Sequence, residues 1–205
     1  KDIRVDDDTT LVIRPGAEIA IAPGNSIYVR GRIVAEGTME QPIIFRCREP
    51  GKPWGSVIVD APGHARSLFA YCLFTGGSMT TIDGRFYSGA LSVYNVDADI
   101  ISCRFESNTG DDGVNCKYSV PNTRHCFFTG NEDAIDYDFC EGSIESNVFA
   151  DNRGDSMDLS FSTTFIVNNV VQRSGDKGIS VGEKSRPVIL NNLITGCVMG
   201  IAVKD

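Results

Sequence analysis

The chain has 205 residues, 41% of them hydrophobic, and sets 19 Lys and Arg against 27 Asp and Glu for a formal net charge of −8. That balance excludes a nucleic-acid binder built on a basic face, because neutralising phosphates needs clustered cations. It also contains no apolar run long enough to span a bilayer, so membrane insertion is not expected. The length suits one domain, residues 1–205, with a sizeable core. The first residue is Lys1 and no signal peptide is recognisable, so the sequence reads as a mature or excised piece.

From the N-terminus, short β-rich runs such as Leu11-Val12-Ile13, Ile27-Tyr28-Val29 and Val57-Ile58-Val59 alternate with Gly, Asn and Asp turns, and strongly helical windows are hard to find. The chain is therefore expected to be all-β. Beyond residue 60 it repeats. Aligning "SCRFESNTGDDGVNCKYS", "RHCFFTGNEDAIDYDFC", "ESNVFADNRGDSMDLSFS", "VNNVVQRSGDKGISVGE" and "LNNLITGCVMGIAVKD" brings Cys103, Cys126, Asn147, Asn169 and Asn192 into one column at gaps of 23, 21, 22 and 23 residues. Two positions later stands an apolar column, Phe105, Phe128, Phe149, Val171 and Ile194. A third strand follows after a polar turn, with Val114/Cys116, Ile135/Tyr137, Met157/Leu159, Ile179/Val181 and Ile201/Val203 at spacing two. Strand periodicity sends these pairs inward and the residues between them outward. Rungs of about 22 residues with three short strands are the unit of a parallel β-solenoid, of about eight or nine rungs here. "SLFAYCLFTGG" places Cys72 in the same column, and the longer gap to Cys103 leaves room for a loop around Thr80 to Ser88.

These rungs resemble the single-stranded right-handed parallel β-helix of the pectate-lyase-like superfamily, and Asn147, Asn169 and Asn192 look like its asparagine ladder. Residues 1–60, with "LVIRPGAEIAIAPGNSIYVRGRIVAEGTMEQPIIFRC" and "WGSVIV", resemble the opening rungs of secreted β-helices, and residues 61–205 are the regular repeats. The resemblance implies a secreted, extracellular or periplasmic location and polysaccharide or a cell-surface glycan as partner. It is specific for fold and weak for activity, since this architecture hosts lyases, hydrolases, epimerases, adhesins and inert scaffolds.

Seven cysteines are present, and Cys72, Cys103, Cys126 and Cys116 fall in inward columns. They are expected to be buried free thiols filling space as small apolar groups. His64 and His125 are isolated and no zinc spacing occurs, so His125 is expected at a turn or on the surface.

The outward columns of the third strand carry the acids. Asp112, Asp133, Asp155 and Lys177 form one column, Asn115, Asp136, Asp158 and Ser180 the next, and Lys117, Asp138 and Ser160 a third. Carboxylates stacked at rung spacing repel by roughly 1 kcal/mol per pair even in water-like surroundings, so something must compensate them. Aspartates in such turns can simply cap backbone amides, with Lys177 and Lys117 supplying counter-charge. Alternatively Asp133, Asp136, Asp155 and Asp158 hold Ca²⁺, a hard cation that takes several oxygens. In the resembled enzymes this face carries acids, calcium and a basic residue. Catalytic roles would then fall to Asp136, Asp158, Lys117 and Arg153, with Tyr118 a further candidate base, and substrate binding to Asp112, Asn115 and Asp138. "GDD" at Gly110 to Asp112 looks like one polygalacturonase element, but NTD, GHG and RIK are missing. Two readings stay open: a carbohydrate-active or carbohydrate-binding β-helix, acting on a uronate polymer by elimination or epimerisation if it is an enzyme, and a non-catalytic extracellular scaffold stabilised by calcium. The chain stops at the third strand of a rung, so more chain, a partner or self-association is expected to cover Ile194, Ile201 and Val203.

Overall fold

The computed structural model describes residues 1–204, and every regular element among them is a β-strand. The chain coils as a parallel β-solenoid of three sheets. Strands Asp112–Lys117, Pro121–Arg124 and Phe127–Thr129 make up one turn, each in a different sheet, and Asp133–Asp138 then returns to pair in parallel with Asp112–Lys117. The first sheet has nine strands, from Ile3–Val5 to Met199–Val203, and the other two have eight each. In-register pairs such as Val114 with Ile135 and Ile135 with Met157 keep the apolar columns aligned from rung to rung.

The core is built of such columns. Phe45, Phe74, Phe105, Phe128 and Phe149 stack with centroids 4.6, 4.8, 4.9 and 4.9 Å apart and near-parallel planes, all fully buried. Burying each ring contributes roughly 2–3 kcal/mol, and offset stacking adds to it.

Corners are fixed by polar columns. Asn147 Nδ2 donates to Asn169 Oδ1 at 3.0 Å and Asn169 Nδ2 to Asn192 Oδ1 at 2.9 Å, while the amides also bind backbone groups of neighbouring rungs. A second ladder at the next corner, Asn108, Asn131 and Asn152, repeats the arrangement at 2.9 and 3.0 Å. The residue just before each position of the first ladder takes a left-handed backbone, as at Ser102, His125 and Ser146 (φ 52°, 56° and 55°). This turns its N–H toward the next rung, His125 N donating to Glu145 O at 3.2 Å. His125 is thus an exposed corner residue.

All seven cysteines are free thiols and six are buried. Cys116 and Cys47 fill the apolar core as expected, but other thiols do more. Cys72, Cys103 and Cys126 continue the amide ladder, each thiol donating to backbone carbonyls, as from Cys126 Sγ to Ile100 O and Arg124 O at 3.4 and 3.3 Å. The Cys103 N–H donates in turn to Cys126 Sγ.

The loop between Cys72 and Cys103 is an antiparallel hairpin, Thr80–Ile82 with Arg85–Tyr87. It lies on the outer face of the first sheet, where Ile82 and Tyr87 cluster with Ile58 and Tyr94. Tyr87 Oη donates to Asp60 Oδ2 at 2.8 Å, Arg85 pairs with the same carboxylate, and Arg4 bonds both oxygens of Asp83. The outward residues Ser92 and Asn115 of that face are buried. At the other end of the solenoid Ile201 and Val203 stand 49% and 76% exposed in the single chain, while Ile194 packs partly against the core.

Candidate functional site

The acids gather on the outer face of the first sheet in two neighbouring groups. The first is Asp133, Asp155 and Asp158, which each bring one carboxylate oxygen within 4.8 Å of the others. Parallel pairing sets this up: Asp136 lies opposite Asp158, and Asp133 sits one rung before Asp155. Asp133 Oδ1 accepts the Asp155 N–H at 2.6 Å, and Asp155 Oδ1 accepts the Lys177 N–H at 2.7 Å. Gly154 is required for that approach, because a Cβ there would stand 2.2 Å from Asp133 Oδ1. Lys177 Nζ lies 3.3 Å from both oxygens of Asp155 and also bonds Asp176. Backbone amides and one lysine therefore offset part of the repulsion. Burial still outweighs them at Asp133, whose carboxyl is pushed up to about 6, and raises Asp155 as well.

The second group lies under the hairpin. A groove of about 430 Å³ runs between the hairpin and the sheet, lined by Arg85, Phe86, Tyr94, Asn115, Lys117, Tyr118, Asp136 and Asp138 among others. Asn115 Nδ2 donates to Asp136 Oδ2 at 2.9 Å, and Lys117 Nζ bonds Asp138 Oδ2 at 3.0 Å. Asn115 Oδ1 has no partner although the residue is only 1% exposed, and neither has Oδ2 of the buried Asp112 close by. A buried polar atom without a partner is uncommon in native proteins and calls for an explanation, a bound ligand or water being one; Thr164 Oγ1 and Ser180 Oγ are two more such atoms outside the groove. Burial pushes the Asp112 carboxyl up to about 8, with Asp133, Asp111 and Asp138 adding to the rise. Asp136 is raised by burial first and then by Asp112, Asp138 and Asp158. Both carboxyls therefore hold protons well above the usual carboxylate range.

Asn115, Lys117, Asp136 and Asp138 thus share the groove, with buried Asp112 on the same strand as Asn115, while Asp133, Asp155 and Asp158 form the carboxylate trio. Arg153 is set apart at the opposite end of the strands. It pairs with Glu132 and donates to Gly130 O and Asn108 O, at the corner that leads into the sheet. Lys117 lies at the other edge, so the two basic residues flank the face rather than converge.

Two parts of the site lie outside the columns aligned in the sequence. The hairpin supplies Arg85 and Phe86, and its sequence belongs to no repeat. The other is an exposed aromatic column, Tyr118, Phe139 and Phe161, with centroids 4.8 and 4.6 Å apart. Its spacing of 21 and 22 residues matches the rungs and was readable in the sequence. All three take a left-handed backbone (φ 54°, 52° and 53°), a conformation disfavoured by roughly 1–2 kcal/mol for a residue with a side chain. Tyr118, at the end of the column, lines the groove, and Lys117 Nζ lies 5.9 Å from its ring centre.

The family model described as periplasmic copper-binding protein (NosD) matches residues 76–205. No curated protein matches the chain. Among solved structures, an alginate lyase from Paenibacillus sp. str. FPU-7 shares 16% identity over 89% of this chain and 75% of its own, with a TM-score of 0.46. A protein from Parabacteroides merdae ATCC 43184, a glycosyl hydrolase by description only, shares 9% over 82% of each chain, with a TM-score of 0.43. Likeness at this level carries no information about chemistry.

Proposed function

The chain belongs to the NosD family, and from that premise and the groove under its hairpin we propose that it is an extracytoplasmic saccharide-binding β-helix. One observation carries the reading. The groove joins exposed aromatic rings, Phe86 and Tyr118, to a dense set of oxygen and nitrogen groups and to a buried, unpartnered amide oxygen on Asn115. Aromatic surface beside fixed polar groups is the combination that a ring with one apolar face and many hydroxyls requires. The family's periplasmic name agrees with a location outside the cytoplasm.

Copper, the metal in the family's name, does not suit the carboxylate trio. Copper selects thiolates, thioethers or imidazoles. Here the thiols of Cys72, Cys103, Cys126 and Cys140 donate to carbonyls inside the core. Elsewhere than at Asp133, Asp155 and Asp158, no three ligand atoms of His, Cys, Asp or Glu converge among the described residues. Carboxylate oxygens suit a hard cation such as Ca²⁺. Those three residues would hold it, with Lys177 as its competitor.

Binding is favoured over catalysis. Elimination on a uronate needs a base aimed at the proton α to the carboxylate. Lys117 is held by Asp138 and Arg153 by Glu132, at opposite edges. Calorimetric titration of oligosaccharides of several classes tests the proposal: binding that Tyr118→Ala weakens supports it, and binding of none would refute it. Ultraviolet absorbance from unsaturated products, with and without EDTA, tests elimination separately.

A further inference from the structure

Resting on that reading, we infer that the groove selects uncharged, hydroxyl-rich saccharides over uronates. The first argument is charge. The lining carries two cations, Arg85 and Lys117, and two carboxylates, Asp136 and Asp138. All four are engaged within the protein: Arg85 with Asp60, Lys117 with Asp138, and Asp136 with Asn115. A sugar carboxylate would find no free cation there. It would also bring its charge beside the Asp138 carboxylate, where like charges repel.

The second argument is hydrogen-bond type. The unpartnered buried group among the lining residues is an acceptor, Asn115 Oδ1, and the amide's N–H₂ side is already committed to Asp136. A ligand group that reaches it must donate, as a sugar hydroxyl does and a sugar carboxylate at the same position cannot. Sites that hydrogen-bond a substrate hydroxyl discriminate sharply against analogues lacking it, because the protein group is then left buried and unpaired.

The third argument is preorganisation. Tyr118 is 54% exposed, yet its ring is stacked on Phe139, itself stacked on Phe161. An aromatic ring held in place loses little freedom when a ligand packs against it. Phe86, 49% exposed, offers a second apolar surface from the hairpin.

The test is calorimetry in EDTA with neutral hexasaccharides of glucose, mannose and xylose, oligogalacturonate and oligoguluronate of the same length, and a deacetylated chitosan hexamer. At least one neutral oligomer should bind at least 10-fold tighter than either uronate. Asn115→Ala, Tyr118→Ala and Phe86→Ala should each weaken it by 10-fold or more. Asn115 is buried, so the exposed positions Tyr118 and Phe86 keep the test valid if Asn115→Ala fails to fold. A uronate or the cationic chitosan oligomer binding tightest, sensitive to Tyr118→Ala, would overturn the selectivity and leave saccharide binding intact. Neutral binding indifferent to both aromatic substitutions would place the ligand elsewhere and overturn the inference. No binding by any oligomer would overturn saccharide binding itself.

Discussion

Two polar columns run along this solenoid at the same repeat and behave oppositely. Asn147, Asn169 and Asn192 stack at one corner, and Asp112, Asp133, Asp155 and Lys177 stack on the outer face of the first sheet. An amide carries both donor and acceptor, so each Asn satisfies the next and the column closes on itself. An ionised carboxylate only accepts, so a column of them needs donors from elsewhere. Asp133 finds the Asp155 N–H, Asp155 finds the N–H and the ammonium of Lys177, and Asp112 keeps an oxygen with no partner. The amide column is therefore structural and self-sufficient, whereas the acidic column remains responsive to protons, cations and ligands.

Breaking the amide column should have the largest effect. Asn169→Ala removes the acceptor of the Asn147 N–H and Nδ2, and the donor to Asn192 Oδ1 and Ile144 O. Orphaning several buried groups costs about 1–3 kcal/mol apiece before relaxation. A loss of roughly 3 kcal/mol or more is expected in urea unfolding. A loss below about 1 kcal/mol would show that the ladder is not a principal source of stability.

Removing the cation of the acidic column comes next. The Lys177 and Asp155 side chains are 12% and 7% exposed, and deleting one partner of a buried pair typically costs 3–5 kcal/mol. Backbone donation to Asp155 persists in Lys177→Met, so about 2 kcal/mol is expected. An unchanged midpoint would mean that the backbone amides alone hold the carboxylates.

The contrast also explains what could be read in advance. The ladder and the rung length follow from a repeat in which Asn, Phe and Ile recur at fixed gaps, because stacked rungs force each inward side chain to match its neighbours. The columns of acids were legible for the same reason. Which acid does what was not: the groove itself depends on where the hairpin Thr80 to Tyr87 folds back, and that segment has no counterpart in other rungs. Arg153, a candidate basic residue beside the acids, is tethered to Glu132, Gly130 O and Asn108 O at the corner opposite Lys117, a position set by contacts that spacing does not reveal.

The pH response sharpens the comparison further. Asp112 is pushed up to about 8 and Asp133 to about 6, so the folded state binds more protons than the unfolded chain between pH 4 and 8. Stability should therefore be highest near pH 4–5 and fall as pH rises through those values. Asp112→Asn removes one strongly perturbed group and should flatten the upper part of this curve, leaving the variant more stable at pH 8 by on the order of 1 kcal/mol. The amide ladder does not titrate, so an Asn169→Ala protein should show the same pH slope as the parent. Melting temperatures that rise from pH 5 to 8 would contradict the buried, proton-holding state of Asp112.

Calcium gives the smallest expected effect and separates the two ways of neutralising the trio. A ligand that binds only the folded state stabilises it by RT ln(1 + [L]/Kd). At ten times a dissociation constant this is about 1.4 kcal/mol, or a few degrees for a domain of this size. In the parent, Lys177 already lies against Asp155, so millimolar Ca²⁺ must compete with an ammonium fixed by the fold, and a shift of only about 1 °C is expected. In Lys177→Met the same carboxylates lose that competitor, and the shift should grow to several degrees. Asp155→Asn together with Asp158→Asn should abolish it in either background, because two of the three converging oxygens are then neutral. A shift in Lys177→Met no larger than in the parent would show that the trio does not act as a cation site even when vacated. The acidic column would then be held by backbone amides and protons alone, and its negative charge would act on ligands only through the neighbouring groove.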